Sequence, residues 1–392
     1  MRRIRGPAEH EEAFSASTMV RDLRDLREYR DRVSVKEPER LVIKPELSPL
    51  RGHCPTQTRY RGSPTGRVAA RPASRCGHVT LAPESSRAQA GGMDTIALGD
   101  VEITRVVELP ARGGARQYIF PDVPVEHWEA HENWLAPTFL DPAADEVRTM
   151  MQTWLIRSQE GRTILIDTGI GNDRERPAMP SFHHLHTHYL DELTAAGVRP
   201  QDVDTVICTH VHGDHVGWNT RRADDGEWRP TFPNAQYVIS RADFDYWNPA
   251  NGHRTRSGPR MANVFEDSVA PVHRSGQTVL WEGDHYDIDA QLRIEPAPGH
   301  TPGSSVVWLR SGSDRALFAG DLLHSPLQIV EPDDCPTFDE DEPRARDSRR
   351  RVLGEAVDRG ALLFPAHFPG PGAVEVRRVG DRFAVKKWAA WR

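Results

Sequence analysis

Residues 205–215, Thr-Val-Ile-Cys-Thr-His-Val-His-Gly-Asp-His, join an apolar run to a dense set of metal donors. The run Val203–Thr209 has the pattern of a buried strand. Side chains alternate with period two at a strand end, so His210 and His212 are expected to point the same way. Gly213 lets the chain turn, and Asp214 and His215 can then face the same cavity from the other side. Three imidazoles and one carboxylate within six residues are costly to pack without a purpose. Together they suit Zn²⁺ and related divalent ions.

Three further donors stand in the same setting. His300 ends LRIEPAPGH (292–300), Asp321 ends ALFAGD (316–321), and His367 ends ALLFPAH (361–367). Each follows a β-like run and a short turn with Gly or Pro. Four strand ends that present donors are expected to converge on one edge of a sheet. Asp167 ends another such run and has two readings. It either orients a ligand histidine from behind or caps a strand end in an Asp-Thr-Gly turn. His183, His184, His186 and His188 have no carboxylate or Cys cluster beside them, so a solvent or pocket-rim place is expected. Trp218 reads equally as a pocket wall or as ordinary packing.

The segment THVHGDHVGWN (209–219) resembles the H-x-H-x-D-H signature of the metallo-β-lactamase superfamily. PGHTPGS (298–304), FAGDLLH (318–324) and FPAHF (364–368) match its later motifs in order, and IDTG (166–169) matches an early one. The resemblance covers roughly residues 95–390. It implies an α/β chain folded as an αββα sandwich, with metals at one edge. Carried over by position, His210, His212 and His300 would hold one metal. Asp214, His215 and His367 would hold the other, with Asp321 bridging. The full set is similar to that of N-acyl homoserine lactonases and the methyl parathion hydrolase group.

That resemblance implies two zinc ions per chain and a metal-bound hydroxide that attacks a lactone or ester carbonyl. Asp214 and His324 are the candidate catalytic residues. The lactonases often carry a Tyr a few residues after the bridging Asp, whereas this chain has Leu322-Leu323-His324-Ser325. His324 is therefore expected to face the metals as a non-ligand and to serve an oxyanion or a leaving alkoxide. Its alternative is a loop cap. A phosphotriester or aryl-ester hydrolase would use the same site. An iron-dependent dioxygenase of the same fold would use fewer ligands, and a non-catalytic binding protein would be expected to lose some. Residues 110–147 and 171–190 are expected to wall the pocket.

The rest of the chain sets limits. Of its 392 residues, 38% are hydrophobic. Residues 1–92 hold 18 Lys and Arg against 11 Asp and Glu, whereas residues 93–392 hold 32 against 46. An acidic main body does not suit a nuclease or another nucleic-acid partner. Residues 1–92 are rich in Arg, Pro, Ser and Gly and are expected to be a disordered or non-native extension, with one helical stretch near Val20–Tyr29. Residues 93–392 are expected to be the hydrolase domain. Cys54, Cys76, Cys208 and Cys335 form no C-x-x-C pair, which suits a reducing compartment. MRRIRGPAEHEE lacks the apolar run of a signal peptide, and no stretch is long enough to span a membrane. The expectation is a cytoplasmic enzyme with a small ester or lactone substrate, no membrane partner and an open oligomeric state.

Local patterns add detail. Strands are expected at Thr95–Leu98, Val101–Val107, Thr153–Arg157, Thr163–Asp167, Ala235–Ser240, Gln291–Glu295, Ser305–Leu309, Ala316–Ala319 and Ala361–Phe364. Residues 110–147 look irregular. Helices are expected from Phe182 to Ala196 and over Ala345–Arg359, and a closing hairpin around Gly380-Asp381.

Overall fold

The computed structural model describes residues 94–392. The expected extension at residues 1–92, the helical stretch near Val20–Tyr29, and Cys54 and Cys76 lie outside the described residues. In chain order the strands are β1 (Thr95–Leu98), β2 (Val101–Ala115), β3 (Leu140–Asp141), β4 (Glu146–Arg157), β5 (Thr163–Ile166) and β6 (Thr205–Ile207). A small hairpin follows, β7 (Thr220–Arg222) and β8 (Trp228–Pro230), and then β9 (Gln236–Ser240) and β10 (Thr278–Trp281). The second half contributes β11 (Tyr286–Asp287), β12 (Leu292–Pro296), β13 (Ser305–Ser311), β14 (Asp314–Gly320), β15 (Leu362–Pro365), β16 (Val374–Val379) and β17 (Arg382–Trp388).

These strands make two large sheets. The first has eight strands along the path β1-β2-β4-β5-β6-β9-β10, with β3 beside β4. The second has seven, in the order β11 to β17. Parallel neighbours need a crossover, and helices supply it. Helix Tyr189–Ala195 lies between β5 and β6, and helix Glu342–Arg359 between β14 and β15.

Alternation along each strand makes the sandwich. Ile164, Ile166 and Ile207 of the first sheet share a core with Val307, Leu309, Ala316, Phe318 and Phe364 of the second. Their neighbours point the other way. Leu165 and Val206 pack with Tyr189, Leu193 and Phe244 on one outer face. Val306, Trp308, Leu317 and Leu363 pack with Val352 and Leu353 on the other. Period-two alternation with both faces apolar is what a sheet buried on both sides requires. The result is helix, sheet, sheet, helix, as expected.

Several local readings need correction. Residues 110–147 are not irregular. Strand β2 runs on to Ala115, helix Val125–Leu135 follows, and β4 begins already at Glu146. Phe120, Trp128 and Phe139 are core residues there, not pocket wall. The helix expected from Phe182 to Ala196 begins only at Tyr189. His184 takes a left-handed φ of 49°, which an α-helix does not tolerate. Phe182 turns instead into a satellite cluster with Leu109 and Ile170. Strand β10 has no counterpart among the expected strands. Cys208 and Cys335 are buried and free, and burial pushes the Cys208 thiol up to about 12. No described helix is long and apolar enough to cross a membrane.

Candidate metal centre

The donors lie just beyond strand ends of both sheets. His210, His212, Asp214 and His215 follow β6, and Asp167 follows β5. His300, Asp321 and His367 follow β12, β14 and β15 of the other sheet. Two glycines are required for this approach. Gly299, at φ 136°, passes so close to the Ala345 backbone that a Cβ would stand 2.1 Å from its nitrogen. Gly320, at φ 50°, leaves 2.7 Å to the Thr209 hydroxyl. Any side chain at either position would push His300 or Asp321 out of line.

Strand β6 stops at Ile207, so His210 and His212 lie in the loop beyond it. The expected strand alternation is therefore not what orients them. Thr209 and Val211 are pinned instead: Asp167 accepts from the Thr209 amide at 2.8 Å, and Asp243 accepts from the Val211 amide at 2.8 Å.

Asp321 stands at the centre. Its Oδ2 is 3.7 Å from His210 Nε2 and 3.3 Å from His300 Nε2. His212 Nδ1 joins that side, 2.9 Å from His300 Nε2. Its Oδ1 is 3.2 Å from His215 Nε2 and 2.9 Å from His367 Nε2. Asp214 completes this second side, 3.8 Å from His215 Nε2 and 3.7 Å from His367 Nε2. The donor atoms of His210, His212, His300 and Asp321 lie within 4.8 Å of one another, as do those of Asp214, His215 and His367. The sequence thus named residues that the fold brings together around one carboxylate, and Asp321, His324 and His367 form a third close set there.

The donor set fits metal ions on its own chemistry. His210 Nε2, His215 Nε2 and Asp321 Oδ1 are buried without a hydrogen-bond partner. Each such atom costs about 1–3 kcal/mol when left unsatisfied. Several that converge from different strands are explained by cations among them.

The electrostatics of the metal-free cluster are divided. Burial drives His210 and His212 well below the ordinary histidine range. Burial also opposes charge on His215 and His300, but carboxylates outweigh it there. Asp321, Asp214 and Asp167 hold His215 well above the usual range, and Asp321 and Asp339 bring His300 up to about 9. Against its own burial, Asp321 is held well below the usual carboxylate range by His215 and His367.

A second layer fixes the imidazoles. Asp167 accepts from His215 Nδ1 at 2.9 Å and from the Thr209 hydroxyl at 2.9 Å. It also has a left-handed φ of 58°, so it both supports a histidine and shapes the turn. Asp339 accepts from His300 Nδ1 at 2.9 Å. The Met150 carbonyl faces His367 Nδ1 at 3.0 Å. Asp243 ties the two histidine loops together, accepting from Val211, from Thr301 and from the Gly303 amide. The sequence reading missed Asp243 and Asp339. The only signal for Asp339 was its place in an acidic run, which reads as solvated surface.

His324 is buried with its Nε2 3.1 Å from Asp321 Oδ2. Its side chain does not cap the loop. Gln328 does, accepting from the amides of His324 and Ser325. A cavity of about 370 Å³ opens over His212, Asp214, Asp321, His324 and His367. Its walls include Tyr118 and Ile119 from the first expected segment, Met179 and Phe182 from the second, and Leu109 just before the first. Trp218 is not a wall. It is buried, stacks on Tyr189 and donates to Glu108 at 2.7 Å. Contrary to the expectation, a carboxylate does stand beside two of the four histidines: His183 and His184 face Glu175, at 3.7 and 3.1 Å, and the three donors lie within 4.8 Å of one another. The Arg176 amide donates to His183 Nδ1, so His183 presents an N–H to Glu175 and has no lone pair left for a metal. His186 and His188 are solvent-exposed beside Asp173 and Asp191.

Comparison with known proteins identifies the family and the fold. Residues 150–367 match the family described as the metallo-beta-lactamase superfamily. Metallo-beta-lactamase domain-containing protein 1 of Xenopus laevis is 31% identical over 182 residues, which is 46% of this chain and 60% of that protein. N-acyl homoserine lactonase AttM of Rhizobium radiobacter is 26% identical over 135 residues, 33% of this chain and 44% of that protein. The chain thus spans about half the length of these curated relatives. Among solved structures, the hydrolase AbOPH superposes with a TM-score of 0.63 at 23% identity, covering 76% of this chain and 97% of its own. The dizinc quorum-quenching lactonase AidC gives 0.62 at 22% identity, covering 75% and 96%. At these identities the superpositions establish the fold.

Proposed function

The chain belongs to the metallo-beta-lactamase superfamily, and on that premise we propose that it is a dizinc hydrolase acting on a lactone or ester. The observation that carries this reading is Asp321, whose two oxygens face two separate donor sets. His210, His212 and His300 would hold one ion, and Asp214, His215 and His367 the other, with Asp321 between them. A mononuclear dioxygenase would leave one of these sets without a task.

When bound, paired zinc ions acidify water and polarise a carbonyl. The chain's own groups do the rest. Asp214 lines the pocket and serves as the base that receives the proton of the attacking water. His324 lies beside Asp321 in the cavity lining, where its imidazole would donate to the oxygen that gains charge or leaves as an alkoxide. Leu109, Ile119, Met179 and Phe182 exclude water from the acyl part of the substrate. Lactonase activity is named for AttM and AidC, which supports an ester bond as the target. We further propose residues 93–392 as the complete catalytic unit.

The test is metal quantification on purified protein beside a panel of lactones, esters, phosphotriesters and thioesters. The expected result is about two zinc ions per chain and lactone or ester turnover that chelation abolishes and zinc restores. Trace metal after zinc reconstitution, or turnover confined to phosphotriesters, would overturn it.

A further inference from the structure

The pocket above the donor cluster carries charge that the proposed chemistry does not use. Most of its wall is apolar, yet Arg112 and Arg260 also line it. Arg112 lies on β2, and Arg260 lies in the short 3-10 turn Gly258–Met261. The acidic residues of the lining are Asp214 and Asp321, both assigned above to the ions.

Three arginines near them in the chain or the sheet are paired. Arg116 meets Asp145 at 2.5 Å, Arg148 meets Asp141 at 2.8 Å, and Arg256 meets Glu342 at 2.7 Å. Among the described residues, Arg112 and Arg260 have no such carboxylate.

Arg260 is nevertheless held in place. Its guanidinium stacks over the Phe338 ring, 5.3 Å from the centroid. Phe338 in turn packs 5.7 Å from the ring of His324, and Tyr118 meets Phe338 edge-on at 6.1 Å. The preceding loop is anchored by Glu340, which accepts from the Arg256 and Ser257 amides and from the Tyr246 hydroxyl. Stacking fixes the plane of the guanidinium and leaves its N–H donors free. That preorganisation suits an incoming carboxylate or a similar oxyanion.

Arg260 contacts Phe338, and Phe338 contacts His324, so the guanidinium lines the cavity without being one of the donors around Asp321. We infer that the substrate is an amphipathic anion. Its reacting carbonyl lies at the donor cluster, its apolar chain lies along the wall, and a carboxylate-like group at the far end is held by Arg260 and Arg112. This inference rests on the hydrolase reading and adds the substrate's charge. Water is still added across the ester bond, with hydroxyl to the acyl carbon and a proton to the alkoxide, and the distal anion is unchanged.

The test uses the full-length, zinc-loaded protein and two para-nitrophenyl esters of equal chain length, the hexanoate and the mono-ester of adipate. The mono-ester of adipate should be preferred by about tenfold or more in kcat/KM, mainly through KM. The preference should shrink toward unity in the Arg112→Gln/Arg260→Gln double variant and between about 50 and about 500 mM salt. Arg260→Lys should keep only part of it, because the charge remains but the stacked, fork-shaped donor set is lost. Equal or reversed preference in the unaltered protein, or a preference that the double variant retains, overturns the inference. Calorimetric binding of hexanesulfonate against hexanol reads the same site without turnover. If neither ester is hydrolysed, the hydrolase reading fails alone when hexanesulfonate binds in an arginine-dependent way. Both readings fail when it does not.

Discussion

Asp321 is the residue on which the two-site reading turns. Its oxygens face His210 and His300 on one side and His215 and His367 on the other. Asp321→Ala should therefore empty both sites together, from about two ions per chain to well below one, as read by elemental analysis after dialysis. Loss of only one ion would show that the carboxylate does not bridge. His324 makes a separable prediction. His324→Ala should lower kcat by roughly 10²-fold with metal content retained. A near-normal kcat would remove it from the reaction, and lost metal would make it a ligand or a support for one. The donors were legible because motif spacing and residue type point to one chemistry. Their supports were not. Asp243 lies 32 residues from Val211, and Asp339 lies 39 from His300. Those carboxylates acquire meaning only when folding brings distant loops together.

At the scale of elements, the strands carry the argument. Phe318 of β14 stacks on Phe364 at 5.0 Å and leans on Trp154 of the opposite sheet at 6.4 Å. It is fully buried between the sheets. Phe318→Ala should cost about 3–5 kcal/mol, measured as a shift in the denaturant midpoint. A cost below about 1 kcal/mol would mean that the seam between the sheets repacks easily. Alternation made most strands readable, since one register buries every second side chain. The far half of β2 escaped notice because Arg112, Gly113 and Gly114 break that alternation, and its pairing with β4 shifts register twice. The segment before Tyr189 misled in the other direction. Phe182 and Leu185 keep helical spacing, but both belong to a satellite cluster under a loop. Periodicity records which residues want burial and does not say which element buries them.

Both sheets contribute donors, so whole-molecule behaviour depends on the centre. A chain beginning at Met93 contains every proposed ligand and both sheets. It should melt cooperatively and match the full chain in turnover. An insoluble or inactive product would show that the preceding residues are needed. A pH dependence follows from His300, raised from 6.5 to about 9. A raised histidine stabilises the folded, metal-free chain fully below about 6.5, and that contribution is lost as pH rises through about 9. The metal-free protein should therefore lose melting temperature across this window. With zinc bound, the imidazole is already deprotonated, so the gain from zinc should grow with pH and loading should release protons. Calorimetry of both forms checks this, and parallel losses in the two would contradict it. The division of donors between the sheets has one more consequence, and it concerns time. The loops after β5 and β6 carry one share, and those after β12, β14 and β15 carry the other. Metal ions held there would tie the two loop sets together across the seam, so the sheets should part more slowly with metal than without it, read as a slower rate of global unfolding.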